Sequence, residues 1–472
     1  MWVVLATVIV YQIVLIAIGL WARGRAQTQD EYFLGNRTLG PWVASLSYAA
    51  GSSSAWTILG VSGIAFTQGL GSLWIVPGTI TGHIVVWFWI APKLQRLSGE
   101  HKWLTLTDML AWQLPAKAAQ LTYRLAAFII LFCFTFYVAA QFQGAANTFT
   151  AMFNVPTLVA LIIGVIIVLL YTLLGGFWAV SVTDALQALL MLFAAIVLPV
   201  VAFLKLGGFT EITPQLAPDS SDTYWDWLGG NSGWYAVGML IGMASIGFGP
   251  PGQPHLLNRI MALGSAKDVA TARNVALLWF TIVLGGMYFL GVVAHMWLTE
   301  PVVQGEQVFF VLAQSLLPPI LTGIIVAAVL SAIMSTADSQ LLVAASAVAY
   351  DLRGGKGQNL ALGETDQSHN SGRWAVVLVA VLALLLAMFL PESIFSRVLF
   401  AWNALGAAFG PIVVARLLKF QLAAWSVPTA MLLGFGLTVL FYSLPDGPGD
   451  IWERAVPFVT AFVTLWVGRT SR

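Results

Sequence analysis

The sequence predicts an all-α integral membrane protein with about 13 transmembrane helices. Three observations predict this fold class. Of the 472 residues, 59% are hydrophobic and 9% are charged, whereas soluble domains are about half apolar and a quarter charged. Apolar stretches fill most of the chain, and a bilayer core about 30 Å thick needs roughly 20 residues of helix to cross it. Basic residues gather in alternate loops, as they do in multi-pass membrane proteins.

The candidate spans are stretches of apolar residues separated by short polar segments. In chain order they cover residues 2–22, 40–67, 73–92, 125–148, 156–174, 183–204, 233–254, 274–298, 316–348, 374–390, 398–415, 422–443 and 455–468. The tenth, eleventh and thirteenth are the shortest. The segment from 205 to 232 forms the longest outer loop, and the polar segment from 351 to 373 forms an inner one.

The distribution of basic residues predicts how the chain is oriented. With an odd number of spans, every Lys and Arg except Lys205, Arg397 and Arg454 falls on the same side as the C-terminus. Cytoplasmic loops are enriched in Lys and Arg, so we expect an outside N-terminus and a cytoplasmic C-terminus. The first apolar run has arginines after it and none before it, the reverse of a cleavable signal peptide. We therefore expect it to be retained as a helix.

Composition and motifs argue against other classes of function. A net charge of +1 provides no basic surface for nucleic acid. Neither the HExxH motif of zinc hydrolases nor the GxSxG motif of serine hydrolases occurs. We therefore predict neither nucleic-acid binding nor enzymatic activity.

Two predicted spans contain helix-breaking residues. The second span contains Gly51 followed by three serines, and the seventh contains the run SIGFGPPGQPH at 245–255. Irregular backbone at membrane depth is tolerated where it is buried or lines a cavity. The two breaks lie five spans apart, in the second and seventh spans, so they are in segments of opposite direction, as in secondary transporters with inverted repeats. The alternative is that the small residues permit close helix packing and the prolines end the seventh span.

Two carboxylates and a row of hydroxyls mark a candidate cation site. Asp338 lies within the ninth span, about 12 residues of helix from its inner end, where a carboxylate is costly unless it meets a cation, a proton or a polar cavity. Asp184 opens the sixth span and either meets a cation or caps the helix. Ala332, Ser335 and Ser339 share one helix face, and hard cations prefer such oxygen ligands.

Six ordered motifs carry a family resemblance over nearly the whole chain. They are YFLGNRTLGPWVASLS, WLTLTDML, GGFWAVSVTDALQALLM, GQPHLLNRIMA, SAIMSTADSQLLVAASAVAYDL and AWNALGAAFGP. With these motifs the chain resembles the sodium:solute symporter family, and within it the bacterial members that transport proline. The resemblance implies a LeuT-like fold of two inverted five-helix repeats. It divides the single transmembrane transporter domain of residues 1–472 into an extra N-terminal helix at 2–22, repeats at 40–204 and 233–415, and C-terminal helices at 422–468.

The resemblance also implies two cation sites. The main sodium site of the family maps onto the first broken helix and the ninth span, at Ala50, Ser53, Ala332, Ser335 and Thr336. A second cation site, present in some relatives, maps onto Asp184, Asp338 and Ser339. At one of these positions relatives carry a hydroxyl and this chain carries a carboxylate, so either sodium or a proton could occupy the second site.

The sequence leaves two classes of solute open. Proline-transporting relatives carry Asp, Trp and Tyr where this chain has Ser52, Ile246 and Pro250. Proline or a related amino acid is the leading prediction, and another small carboxylate or zwitterion is the alternative. The predicted substrate-binding residues are Ser54, Trp56, Tyr137, Gln141, Phe248 and Gln253.

These expectations combine into a sodium-coupled importer of the bacterial inner membrane. Its cofactor is the sodium ion, and its partners are the co-transported solute and the lipid bilayer. No obligate protein partner is predicted. The rival hypothesis is a transporter-like sensor that binds the solute and signals to a partner protein, and flux against a gradient distinguishes the two.

Overall fold

The computed structural model describes residues 1–22, 34–174, 176–208, 223–298, 305–355, 366–390, 393–445 and 447–470. These residues form helices and no sheet. The helices of the first half are α1 (Trp2–Ala22), α2 (Pro41–Ser52), α3 (Val61–Gln68), α4 (Ile75–Val85), α5 (Ala91–His101), α6 (Leu106–Ala111), α7 (Ala116–Phe153), α8 (Thr157–Leu174) and α9 (Phe177–Lys205).

The second half of the described chain is also helical. Its helices are α10 (Gly233–Ser245), α11 (Pro254–Met261), α12 (Asp268–Trp297), α13 (Val308–Leu316), α14 (Pro319–Ser346), α15 (Asp366–Phe389), α16 (Ile394–Leu417), α17 (Ser426–Tyr442), α18 (Ile451–Arg454) and α19 (Val456–Val467). Within the described residues, eight helical segments are long and apolar enough to cross a membrane, and two apolar helices are shorter. The all-helical membrane fold is confirmed, while the count of thirteen spans stays a prediction.

Three helices form the centre of the molecule. Helix α9 packs against α14 and α2, and α14 contacts α2 directly. From Thr322 to Ser346 almost every residue of α14 is buried, because other helices pack around it. The N-terminal helix α1 packs on the same helix, where the Tyr11 hydroxyl lies 2.7 Å from the Ser331 hydroxyl. Polar groups of α14 are thus shielded from lipid by protein.

The structure corrects two sequence-based boundaries. Helix α9 begins at Phe177, so Asp184 lies two turns inside the helix and the N-cap alternative is wrong. Arg259 and Arg416, assigned to inner loops by the charge pattern, lie within helices and are buried. Other basic residues that carry the orientation prediction, among them Arg23 and Lys356, lie outside the described residues.

Candidate functional site

The first helix break is present where the glycine and serines predict it. Helix α2 ends at Ser52, and the next helical turn begins at Trp56. At the break Ser53 has φ −109° and ψ 85°, and its backbone N–H donates to the carbonyl of Ala50 at 3.1 Å. The Gln141 side chain of α7 accepts from the backbone N–H of Ala55 at 3.1 Å. Such partners satisfy the backbone groups that the break removes from the helix.

The second break spans residues 246–253. Two short turns, Ile246–Phe248 and Pro250–Gly252, separate α10 from α11. The indole N–H of Trp402 donates to the Ile246 carbonyl at 3.0 Å, and the Gln253 side chain donates to the Trp402 carbonyl at 3.0 Å. The chain continues as helix after the break, so the prolines interrupt this segment and do not end it.

Glycine lets the third predicted span approach the second break. A Cβ atom added at Gly82 of α4 would lie 2.3 Å from the carbonyl oxygen of Gly247. One added at Gly247 would lie 2.6 Å from the carbonyl oxygen of Gly78. No real side chain fits at these distances, so this face of α4 and the break pack backbone to backbone.

The predicted main sodium residues converge between α2 and α14. The Ser335 hydroxyl lies 3.1 Å from the Ala50 carbonyl oxygen and 3.4 Å from that of Ala332. The Thr336 hydroxyl lies 3.3 Å from the Gly51 carbonyl oxygen and 3.5 Å from that of Ala50. All these residues are buried. The chemistry of the set, neutral carbonyl and hydroxyl oxygens from a helix break and a facing helix, suits a monovalent hard cation.

At the predicted second site an arginine lies between the carboxylate and the hydroxyls. A guanidinium nitrogen of Arg259 is 3.1 Å from a carboxylate oxygen of Asp184, and both side chains are fully buried. The same guanidinium donates to Ser339 and, at 3.0 Å, to Ser47. Ser47 in turn donates to Asp184 at 2.7 Å. Asp184 and Ser339 therefore meet as predicted, with a cationic side chain between them.

Asp338 differs from Asp184 in its surroundings. It is fully buried on α14, and within the described part of the chain neither carboxylate oxygen has a hydrogen-bond partner. Arg259 is already paired with Asp184, so the two carboxylates share one nearby cation. A buried carboxylate without a partner is costly, and a proton or a cation would relieve that cost.

A cavity lies between the two helix breaks. In this conformation it is narrow, with about 10 Å³ of free space, which holds about one water molecule, so a solute would bind only when its walls move apart. The lining residues come from both breaks and from α4, α7, α12 and α16. They are Ser52, Ser53, Trp56, Thr57, Thr79, His83, Tyr137, Ile246, Phe280, Leu284, Val398, Leu399 and Trp402.

Two of the six predicted substrate residues, Trp56 and Tyr137, line this cavity. Ser54 lies behind it, where its hydroxyl accepts from the Trp56 backbone N–H at 3.2 Å. Phe248 stacks on Phe458 of α19, with ring centroids 4.5 Å apart. Gln141 accepts from the Ala55 backbone at the first break, and Gln253 donates to the Gly249 carbonyl of the second break and to the Trp402 carbonyl of α16. The structure thus places these four residues around the cavity and not in its wall.

Sequence analysis missed Arg259, His83 and Thr79. Arg259 lies four residues after His255 on α11 and donates to its carbonyl at 2.6 Å. The signal that could have found it is helical periodicity after the second break, which keeps residues 255 and 259 on one face. His83 and Thr79 share a face of α4 for the same reason. They lie next to Gly82 and Gly78, which contact the second break.

Two broken helices on either side of a buried cavity, with a cage of neutral oxygens beside it, define the chain as a multi-pass membrane transporter with the LeuT-like architecture. A sequence model of the sodium:solute symporter family matches residues 32–432. The chain belongs to this family.

Similar proteins agree with this assignment. The sodium/proline symporter of Escherichia coli K12 is 33% identical over 446 residues, which are 93% of this chain and 87% of that protein. The high-affinity proline transporter PutP of Bacillus subtilis 168 is 32% identical over 460 residues, covering 96% and 94% of the two chains.

Two solved structures share the fold. A Na⁺-coupled sialic acid symporter in a substrate-bound outward-open state superposes with a TM-score of 0.79 at 16% identity, covering 98% of this chain and 96% of that chain. Mhp1, a transporter of the nucleobase-cation-symport-1 family in a closed conformation, gives a TM-score of 0.56 at 12% identity, covering 92% of each.

Proposed function

We propose that this protein imports a small organic solute, proline or a related amino acid, by coupling it to the inward movement of sodium. The observation that carries the proposal is the convergence of Ser335 and Thr336 on the carbonyls of the first helix break. These oxygens lie beside the cavity, because Ser53 at the same break lines its wall. One short segment of backbone therefore serves both the ion site and the solute site.

Coupling follows from this shared segment. Sodium bound by Ala50, Ser53, Ala332, Ser335 and Thr336 would hold α2 against α14 and fix the backbone that forms the cavity wall. Solute would then bind better to the sodium-loaded conformation, and differential affinity of this kind shifts the population of states. One charge moving through 100 mV contributes about 2.3 kcal/mol, which supports roughly a fortyfold solute gradient.

The second cation site is part of the same proposal. Asp184 of α9 and Ser339 of α14 contact Arg259 of α11, and Asp338 directly precedes Ser339 on α14. The guanidinium of Arg259 supplies one positive charge there. Asp338 is the group left to take up a coupling proton or sodium, and a second coupled cation would square the attainable gradient.

The location and orientation are proposed from the sequence. We place the protein in the bacterial inner membrane with an outside N-terminus and a cytoplasmic C-terminus. Import of a metabolite against its gradient uses the sodium gradient and membrane potential of that membrane.

Uptake into proteoliposomes tests the function. Purified protein is reconstituted, and labelled L-proline uptake is measured with an inward sodium gradient and with potassium in its place. We expect accumulation above equilibrium with sodium alone. Vesicles that accumulate neither L-proline nor any of a panel of amino acids and small carboxylates, in the presence of sodium, would overturn the proposed transport and favour a solute sensor.

A further inference from the structure

Most polar residues that line the cavity come from α4 and the first break, and Tyr137 of α7 is another. His83 and Thr79 of α4 face the cavity together with Trp56 and Ser52 of the first break. The remaining wall is mostly apolar and comes from the second break, α12 and α16: Ile246, Phe280, Leu284, Val398, Leu399 and Trp402. A solute that fits has one polar end and an apolar body.

Two of these polar groups have no protein partner within the described residues. They are the indole N–H of Trp56 and the hydroxyl of Thr79, in side chains that are only 6% and 4% exposed. Buried polar groups in folded proteins are nearly always hydrogen-bonded, and leaving one unpaired costs about 1–3 kcal/mol. A water molecule or a ligand in the cavity would supply the missing partners.

The third polar group, His83, is held in a fixed orientation. Its ring stacks on Phe280, with centroids 3.8 Å apart and planes 13° apart. Its Nδ1 lies 3.0 Å from the hydroxyl of Tyr48. Tyr48 is fully buried, and when its hydroxyl donates to Nδ1 the ring carries its proton on Nε2. Nε2 is on the side of Ser52, at a long 3.5 Å from its hydroxyl.

The charge around the cavity favours an anionic polar end. Among the described residues that line it, none is Asp, Glu, Lys or Arg. Sodium in the proposed main site would place a positive charge beside Ser53, at the edge of this cavity. A solute carboxylate would meet that charge and the donors of His83, Trp56 and Thr79, whereas a solute ammonium group would find no carboxylate in the wall.

We propose that His83, fixed by Tyr48 and Phe280, acts with Trp56 and Thr79 as the recognition site for the carboxylate of a small solute with an apolar body. This inference rests on the proposed symport and narrows its substrate class. It makes Nε2 of His83 a direct substrate contact and Tyr48 a positioning residue. Both proline and a simple monocarboxylate carry the recognised group.

Matched ligands test the inference. Isothermal titration of the purified protein in sodium chloride uses L-proline and cyclopentanecarboxylate, which differ in the ring nitrogen, together with the carboxamide of each. Propionate and L-lactate extend the acids. We expect at least one acid to bind about tenfold or more tightly than its amide, since hydrogen bonds to charged groups are the stronger ones. Comparing L-proline with cyclopentanecarboxylate shows whether the cavity prefers an amino acid or a simple monocarboxylate.

Variants assign the preference to the imidazole. His83→Ala should weaken acid binding by about tenfold to a hundredfold and leave amide binding nearly unchanged, while His83→Gln should restore part of the preference. Tyr48→Phe should reduce the preference less than His83→Ala does. The control is His101→Ala. This change removes an imidazole that stacks on Trp103 and does not line the cavity, so the preference for acid over amide should be unchanged. Sodium-dependent thermal stabilisation of each variant establishes that it is folded.

Three results would overturn the inference: equal affinity for acid and amide in the unaltered protein, a preference that survives in folded His83→Ala, or no sodium-dependent binding of any of the acids. Uptake assays separate this failure from failure of the symport. Sodium-driven accumulation of a neutral solute, such as a sugar or polyol, would retain the proposed transport while excluding carboxylate recognition by His83.

Discussion

The guanidinium of Arg259 lies 3.1 Å from the carboxylate of Asp184, and both side chains are inaccessible to solvent. The pair joins α9 to α11, the helix that follows the second break. Ser339 of α14 contacts both partners. Three helices at the centre of the transporter are thereby connected through one ion pair. This pair lies next to the first break, because Ser339 is a neighbour of Gly51.

Breaking this pair should destabilise the protein. Arg259→Met leaves the Asp184 carboxylate buried without its partner, which costs about 3–5 kcal/mol for pairs of this kind. We expect a lower melting temperature in detergent. The double variant Asp184→Asn, Arg259→Met removes both charges and should recover part of the loss. The single variant Asp184→Asn completes the comparison. If the double variant loses as much stability as Arg259→Met and Asp184→Asn added together, the two side chains do not act as an ion pair.

The main sodium site predicts a steep change in ion dependence. Ser335→Ala together with Thr336→Ala removes both hydroxyls that face the Ala50 and Gly51 carbonyls. We expect the sodium concentration for half-maximal uptake to rise tenfold or more, since each lost ligand costs about 1 kcal/mol. Ser346→Ala is the matched control, because that hydroxyl bonds its own helix at the Val343 carbonyl. Unchanged sodium dependence in the folded double variant would reject the assignment.

Asp338 predicts a change in stoichiometry. Asp338→Asn removes the charge of the carboxylate that has no hydrogen-bond partner in the described residues. If Asp338 carries a second coupled cation, we expect one fewer cation per solute and a correspondingly lower solute gradient. Parallel measurement of labelled sodium, proton and solute fluxes gives the ratio. An unaltered ratio would return Asp338 to a structural role.

The close approach of α4 to the second break predicts intolerance at one glycine. Gly82→Ala places a methyl group 2.3 Å from the Gly247 carbonyl oxygen, so the break must shift. We expect uptake to fall tenfold or more. Gly285→Ala in α12 is the control, because a Cβ there meets no atom within 4 Å and alanine favours helix by about 1 kcal/mol. Equal uptake by the two variants would contradict the packing argument.

The sequence predicts the fold class and the breaks because both depend on composition that is local in the chain. Apolar runs of bilayer length form helices whatever their neighbours are, and Gly51 or the prolines at 250–254 interrupt a helix by their own backbone chemistry. The residues of the main sodium site are predicted through family motifs, and the structure brings them together. Their role as ligands stays a prediction.

Tertiary structure alone decides which polar side chains meet. Asp184 and Arg259 are 75 residues apart, and the charge pattern places the arginine in a loop because basic residues usually lie outside the membrane. His83 lies in an apolar helix, and no sequence motif surrounds it. Only the packing of α4 against the second break brings His83 to the cavity. The cavity wall is assembled from segments distant in the chain, so its chemistry follows from packing and not from local sequence.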